Sequence, residues 1–170
     1  EAHRNSLLTC IPEAMVHCSQ NAQDIETIFS KADVIVMGPG LAKTSWSQKL
    51  LLCALNSHKP LVIDADALNL LSEHQMKLIH LPSFKNNEHV FTPHPAEAAR
   101  LLNTETKQVQ EDRLSALIKL KEKWGGNFLL KGSGSLMIAD NNQAYLCPYG
   151  NPGMASGGMG DVLSGLIGGL

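Results

Sequence analysis

Four short apolar runs in this chain stop abruptly at glycine, proline or polar residues, and helical patterns separate them. Residues 34–37 (Val-Ile-Val-Met) end at Gly38-Pro39-Gly40, and residues 61–63 (Leu-Val-Ile) end at Asp64-Ala65-Asp66. Residues 90–92 (Val-Phe-Thr) meet Pro93, and residues 127–130 (Asn-Phe-Leu-Leu) meet Lys131-Gly132. Runs this short, closed by turn residues, read as buried strands. Thr44 or Ser45 can cap a helix to about residue 57, with Trp46, Leu50, Cys53 and Ala54 on one face. A short helix carries Leu68, Leu70 and Leu71, and Pro93 and Pro95 bracket another helix start. The longest helical pattern spans residues 107–124, with Val109, Leu117, Leu120 and Trp124 on one stripe and Gly125 as the stop. Residues 135–139 and 143–146 pattern as a hairpin turned by Asp140-Asn141-Asn142. Repeated β-then-α order predicts an α/β fold with a largely parallel central sheet and helices on both faces. Ligands in such sheets sit beyond the carboxyl ends of the strands, where every glycine-rich or polar cluster of this chain falls.

Length and charge narrow the function. The 170 residues suit one domain or a large piece of one, with no repeat or linker to divide them. A net charge of −2, from 14 basic and 16 acidic residues well mixed along the chain, argues against nucleic acid or an anionic membrane as partner. No apolar run approaches the ~20 residues of a membrane span. Cys10, Cys18, Cys53 and Cys147 make no CxxC pair and no cluster at zinc spacing, so reduced thiols and a cytoplasmic location are expected. The chain starts at Glu1 and stops at Leu170 inside an apolar, glycine-rich stretch that reads as the first turns of a buried helix. A segment of a longer protein, cut at both ends, is the expectation.

The chemistry concentrates in residues 150–161, Gly-Asn-Pro-Gly-Met-Ala-Ser-Gly-Gly-Met-Gly-Asp, which lead into an apolar helix. Gly153, Gly157, Gly158 and Gly160 let backbone N–H groups converge on an anion, and a helix N-terminus adds favourable potential. No Gly-Lys-Ser/Thr follows, so this is not a Walker A loop, and it lacks the βαβ setting of the dinucleotide fingerprint. Asp161 places a carboxylate where a phosphate would sit; the plainer reading is an N-cap. Lys131-Gly132-Ser133-Gly134-Ser135 and Gly38-Pro39-Gly40 each read equally well as turns. His94 and Glu97 sit three apart at a helix start and can face one cleft, although Glu97 also fits a capping role. Asp64, Asp66 and Asn69 form a polar cluster just past a strand end.

In this order, Gly-Pro-Gly-Leu at 38–41, Ile-Asp-Ala-Asp-Ala-Leu-Asn at 63–69, Thr-Pro-His-Pro-Ala-Glu at 92–97, Lys-Gly-Ser-Gly-Ser at 131–135 and Asn-Pro-Gly-Met-Ala-Ser-Gly-Gly-Met-Gly-Asp at 151–161 resemble the NAD(P)H-hydrate dehydratases of the ribokinase-like superfamily, the bacterial ADP-dependent kind. The resemblance runs from about residue 32 onward, and the first thirty residues match loosely. It implies a hydro-lyase of nucleotide repair acting on the S epimer of hydrated NADH and NADPH, consuming ADP with magnesium and releasing AMP and phosphate. It implies Asp161 as catalytic base and substrate contact, with Lys131, Gly132, Ser133, Gly134, Ser135, Gly157, Gly158 and Gly160 on ADP. Gly38, Gly40, Asn69 and His94 would line the hydrate side, and Glu97 would organise magnesium indirectly. A single dehydratase domain over residues 1–170, a fused epimerase domain in the parent chain and a homo-oligomer complete that expectation. Two alternatives share the glycine loop: a small-molecule kinase of the same superfamily acting on a vitamin precursor, and a nucleotide-binding module without catalysis.

Overall fold

The computed structural model describes residues 4–19, 21–73, 88–139 and 141–170. Helices α1 (Arg4–Cys10) and α2 (Ala22–Lys31) lead into the sheet, and Asn21 caps α2. The chain then runs β1 (Ile35–Met37), α3 (Ser45–Asn56), β2 (Leu61–Ile63), α4 (Ala65–Glu73), β3 (Val90–Phe91) and α5 (Pro95–Leu102). After them come α6 (Thr106–Glu111), α7 (Arg113–Trp124), β4 (Asn127–Leu130), β5 (Ser135–Ile138), β6 (Ala144–Cys147) and α8 (Met159–Gly169). The six strands lie in chain order in one sheet. The pairs from β1 to β4 are parallel, and β5 and β6 close the sheet as an antiparallel hairpin. Asp140 of its expected turn lies outside the described residues.

The sequence explains these layers. β2 is an interior strand, and its Leu-Val-Ile is buried at every position, as a strand covered on both faces must be. Ile35, Met37, Leu61 and Ile63 point into the main core with α3, α4, α5 and α7. Val36 and Val62, paired in register, face the other way, and α8 lies against them so closely that a Cβ on Gly168 would come 2.4 Å from Val36 Cγ2. Helices therefore cover both faces. Phe91 and Phe128, also paired in register, stack with ring centroids 4.5 Å apart. Among the described residues no helix is long and apolar enough to cross a membrane.

Four expectations need correction. The pattern over residues 107–124 is two helices, because Asp112 (φ −141°, ψ 83°) leaves the helical region and its side chain caps Ser115 N at 2.9 Å. The buried stripe of α3 is Ser47, Leu51, Ala54 and Leu55, with Trp46, Leu50 and Cys53 only partly covered. Ser47 Oγ donates to Leu41 O at 2.6 Å and turns that face inward. The run at residues 34–37 is buried on one side only, since Val34 and Val36 are exposed. α8 is not a buried helix: Ser164 alone is fully covered, while Val162 and Leu166 are 65% and 61% exposed.

Candidate active site

Three ladder hydrogen bonds carry the parallel pairing past the strand ends and fix the backbone of the site. Asp64 N donates to Met37 O, Thr92 N to Ile63 O and Lys131 N to Pro93 O, at 3.0, 3.1 and 2.9 Å. Residues far apart in sequence are thereby delivered to one edge of the sheet. The β5–β6 hairpin sets Ser135 opposite Cys147, so the glycine-rich segment after β6 returns to that same edge.

Asp64 is the centre of the cluster. Its side chain is 2% exposed; Oδ1 accepts from Lys131 Nζ at 2.7 Å and Oδ2 from Ser164 Oγ at 2.8 Å. A carboxylate withdrawn from water costs several kcal/mol, about what a well-formed ion pair with a further hydrogen bond returns. Ser164 Oγ also lies 3.0 Å from Gly160 O, but its single proton favours the charged acceptor. A Cβ on Gly160 would sit 3.5 Å from both Asp64 Oδ2 and Lys131 Nζ, so the start of α8 lies directly over the pair. Gly38 must be glycine for the sake of this arrangement: its φ is +133°, and a Cβ would come 1.7 Å from Asp64 O.

His94 and Glu97 belong to a capping box at α5. His94 Nδ1 accepts from Ala96 N at 3.1 Å and Glu97 N at 3.3 Å, while Glu97 Oε2 accepts from His94 N at 2.8 Å. With Nδ1 accepting, the proton of neutral His94 sits on Nε2, 3.4 Å from Glu97 Oε1. Partial burial first, then the charges of Lys131 and Arg100, hold His94 below its ordinary pKa. Burial pushes the Glu97 carboxyl up, against the hydrogen bond from His94 N and the charge of Lys131 4.0 Å away. The capping reading of Glu97 is thus observed, and the same carboxylate also faces Lys131.

At α8 the cap is Gly158, in the left-handed region at φ 87°, and no side chain caps the helix. Asp161 lies in the first turn, exposed, so the N-cap reading of this residue fails. A Cβ on Gly157 or Gly158 would meet nothing within 4 Å. Gly40 is exposed on the turn after β1. The loop from Lys131 to Ser135 is held by Arg113, whose guanidinium donates to Ser133 O at 2.6 Å, Gly134 O at 2.9 Å and Leu130 O at 3.1 Å. Asn69 Oδ1 accepts from Arg100 Nη1 at 2.8 Å. Neither Asn69 nor Asp161 bonds to the Asp64–Lys131 pair.

Sequence reasoning put Lys131 and Gly160 on one ligand and gave Glu97 a separate magnesium role, whereas in the structure Lys131 Nζ lies 4.0 Å from Glu97 Oε2 and 3.5 Å from where a Gly160 Cβ would sit. It gave no role to Asp64, Ser164 or Arg113. Asp64 and Ser164 carried a signal, being a carboxylate at a buried strand end and a lone hydroxyl within an apolar helix. Arg113 carried none. Among the described residues no three His, Cys, Asp or Glu side chains converge as a metal cage.

This edge of a largely parallel sheet, with a glycine-capped helix lying over a buried Lys–Asp pair, is ribokinase-like. A ribokinase-like superfamily protein of Enterococcus faecalis superposes with a TM-score of 0.83 at 31% identity, over 98% of this chain and 56% of that one. An ADP/ATP-dependent NAD(P)H-hydrate dehydratase of Bacillus subtilis, co-crystallised with ATP and Mg2+, gives 0.73 at 24% identity, over 97% and 57%, and supports the fold alone. A profile of the NAD(P)H-hydrate dehydratase family matches residues 1–170, and the chain belongs to that family. The match includes the first thirty residues, where the motifs had given only a loose resemblance. A bifunctional NAD(P)H-hydrate repair enzyme of Coxiella burnetii is 46% identical over 159 residues, which are 94% of this chain and 31% of that protein. The ADP-dependent (S)-NAD(P)H-hydrate dehydratase of Neisseria meningitidis is 36% identical over 165 residues, 97% of this chain and 54% of that one. The chain therefore spans from a little under a third to a little over half the length of these curated relatives.

Proposed function

We propose that this chain is the dehydratase domain of a longer repair enzyme, which uses ADP to remove water from the S epimer of hydrated NADH or NADPH. The observation that carries the reading is the start of α8, where glycine replaces a side-chain cap and Asp161 stands exposed in the first turn. Amides in a first helical turn lack intrahelical acceptors, so those of Gly160 and Asp161 suit a phosphoryl group and the charge that develops on it. Asp161 takes the proton from the hydrate hydroxyl as its oxygen attacks the β-phosphorus of ADP and AMP departs. Phosphate then leaves the ring, expelled by the ring-nitrogen lone pair, and loss of a proton from the adjacent ring carbon re-forms the double bond.

Lys131 to Ser135, with Gly157, Gly158 and Gly160, hold the nucleotide, and the Arg113 clamp keeps that loop in shape. Lys131, fixed by Asp64, offers its charge to the phosphates. Gly38, Gly40, Asn69 and His94 form the hydrate side, His94 in its neutral form. The donor set fits a magnesium ion that takes most of its ligands from phosphate oxygens and water, with Glu97 acting through water. Bound there, the ion would neutralise developing phosphate charge. A bifunctional parent chain with an epimerase domain, a homo-oligomeric state and a cytoplasmic location belong to the same reading.

The test is turnover by the full-length protein with acid-generated NADH hydrate, magnesium and either ADP or ATP, followed as returning NADH absorbance. Recovery that requires ADP and releases AMP is expected. A stable phosphate ester on a different hydroxyl substrate would make the protein a kinase, and nucleotide binding without turnover of any substrate would make it a binding module.

A further inference from the structure

Beside the proposed hydrate side, and sharing only Asn69 with it, an open cleft of about 400 Å3 lies between α4, α5 and the loop entering α3. Among the described residues it is lined by Lys43, Asn69, Ser72, Glu73, Arg100 and Asn103. Every one of these side chains is polar, so the cleft suits a hydrated, charged group better than an apolar segment. Two cations stand against one carboxylate. Arg100 is oriented by its bond to the Asn69 amide oxygen, which leaves its planar fork in a defined position. Lys43 pairs with Glu73 at 2.6 Å, but the two side chains are 50% and 46% exposed, and such pairs are weak enough for a multiply charged anion to draw the lysine away.

The cleft shares one residue with the proposed hydrate side. Asn69 belongs to both, and the charge of Arg100 reaches His94 strongly enough to help hold its pKa down. α4 and α5 pack on the sheet face of Ile35 and Ile63, whereas α8 packs on that of Val36 and Val62. The helices that line the cleft thus pack on the opposite sheet face from α8. A hydrated nicotinamide ring is one end of a dinucleotide, and the remainder carries a diphosphate bridge and, in the NADPH form, a 2′-phosphate.

We propose that Arg100 and Lys43 form a phosphate subsite for the dinucleotide, gripping a phosphate of the hydrate remote from the ring under repair. This rests on the hydrate reading above. Glu73 weakens the subsite, and the contest between Glu73 and the phosphate for Lys43 sets the affinity.

The test is steady-state kinetics of the full-length protein with NADH hydrate and NADPH hydrate separately, paired with calorimetric titration of NADP+ and NAD+. Arg100→Ala and Lys43→Ala should each raise KM for hydrate about tenfold, the worth of one charge-assisted hydrogen bond, with kcat and KM for ADP little changed. Glu73→Gln should move KM the opposite way. A rise for both hydrates identifies the diphosphate, and a rise for NADPH hydrate alone the 2′-phosphate; either supports the subsite. Unchanged KM for both hydrates in both alanine variants overturns it, as does an effect confined to KM for ADP. If Arg100→Ala fails to fold, Lys43→Ala and Glu73→Gln decide. If the unsubstituted protein restores no NADH, the hydrate reading fails, and the subsite stands or falls on whether these variants shift NADP+ binding.

Discussion

Helices α5 and α8 begin at the same edge of the sheet, and each carries an acidic residue at the third position of its first turn, yet they use it in opposite ways. At α5, Pro95 has no N–H, His94 Nδ1 takes the next two amides, and Glu97 folds back onto the His94 amide. Every free amide at this helix start is consumed by the fold. At α8, a glycine cap supplies no acceptor, and the acidic residue is left facing out. One helix start is closed by its own side chains, and the other is kept open. The difference teaches that an acidic residue near a helix start says little until the cap residue is known. A cap with a side chain spends the amides on stability, whereas a glycine cap leaves them for a ligand.

The comparison breaks most sharply at Asp161. In the full-length protein, Asp161→Asn should lower kcat by about a thousandfold, within the range for loss of a general base, while calorimetry finds ADP affinity nearly unchanged. Residual activity near that of the unsubstituted protein would return Asp161 to a surface role. Next in size is Asp64→Asn, which leaves Lys131 largely buried without its carboxylate. Urea unfolding should show a loss of about 3 kcal/mol, as expected for one partner of a buried pair.

His94→Asn sharpens the α5 side, because asparagine is itself a favoured cap. Stability should change by less than about 1 kcal/mol, but KM for the hydrate should rise, separating the capping role from the proposed substrate contact. The smallest effect concerns pH. The folded-state pKa of His94 lies below its ordinary value of 6.5, so its contribution to stability is complete above 6.5 and is lost as pH falls through the folded value. Protonation would also take Nδ1 from the Ala96 and Glu97 amides. Unfolding measured from neutral pH to about pH 5 should show a decline that flattens in His94→Asn.

Much of this was legible without coordinates. Short apolar runs ended by glycine, proline or aspartate gave the strands, and Thr44 and Gly125 marked helix ends where they occur. What failed depended on distant partners. The break at Asp112 looked like one more polar position on a helical stripe; Arg113, just beyond it, reaches the carbonyls of a loop 17 to 21 residues away. Apolar composition alone predicts burial for α8, whereas only its face toward Val36 and Val62 is covered. Asp64 stood in view as one member of a polar cluster, but nothing local named Lys131 and Ser164 as its partners.

Those partners lie 67 and 100 residues away along the chain. Contacts of such high sequence separation form only after a large loss of chain entropy, and they come late in folding. The parallel strands and α4, α5 and α7 can assemble before α8 arrives, because their core does not include it. α8 then fastens through one hydroxyl on Asp64 and a glycine pressed on Val36. Arrival of this helix therefore brings its first turn over the Asp64–Lys131 pair, and the amides of α8 should exchange with solvent well before those of β2.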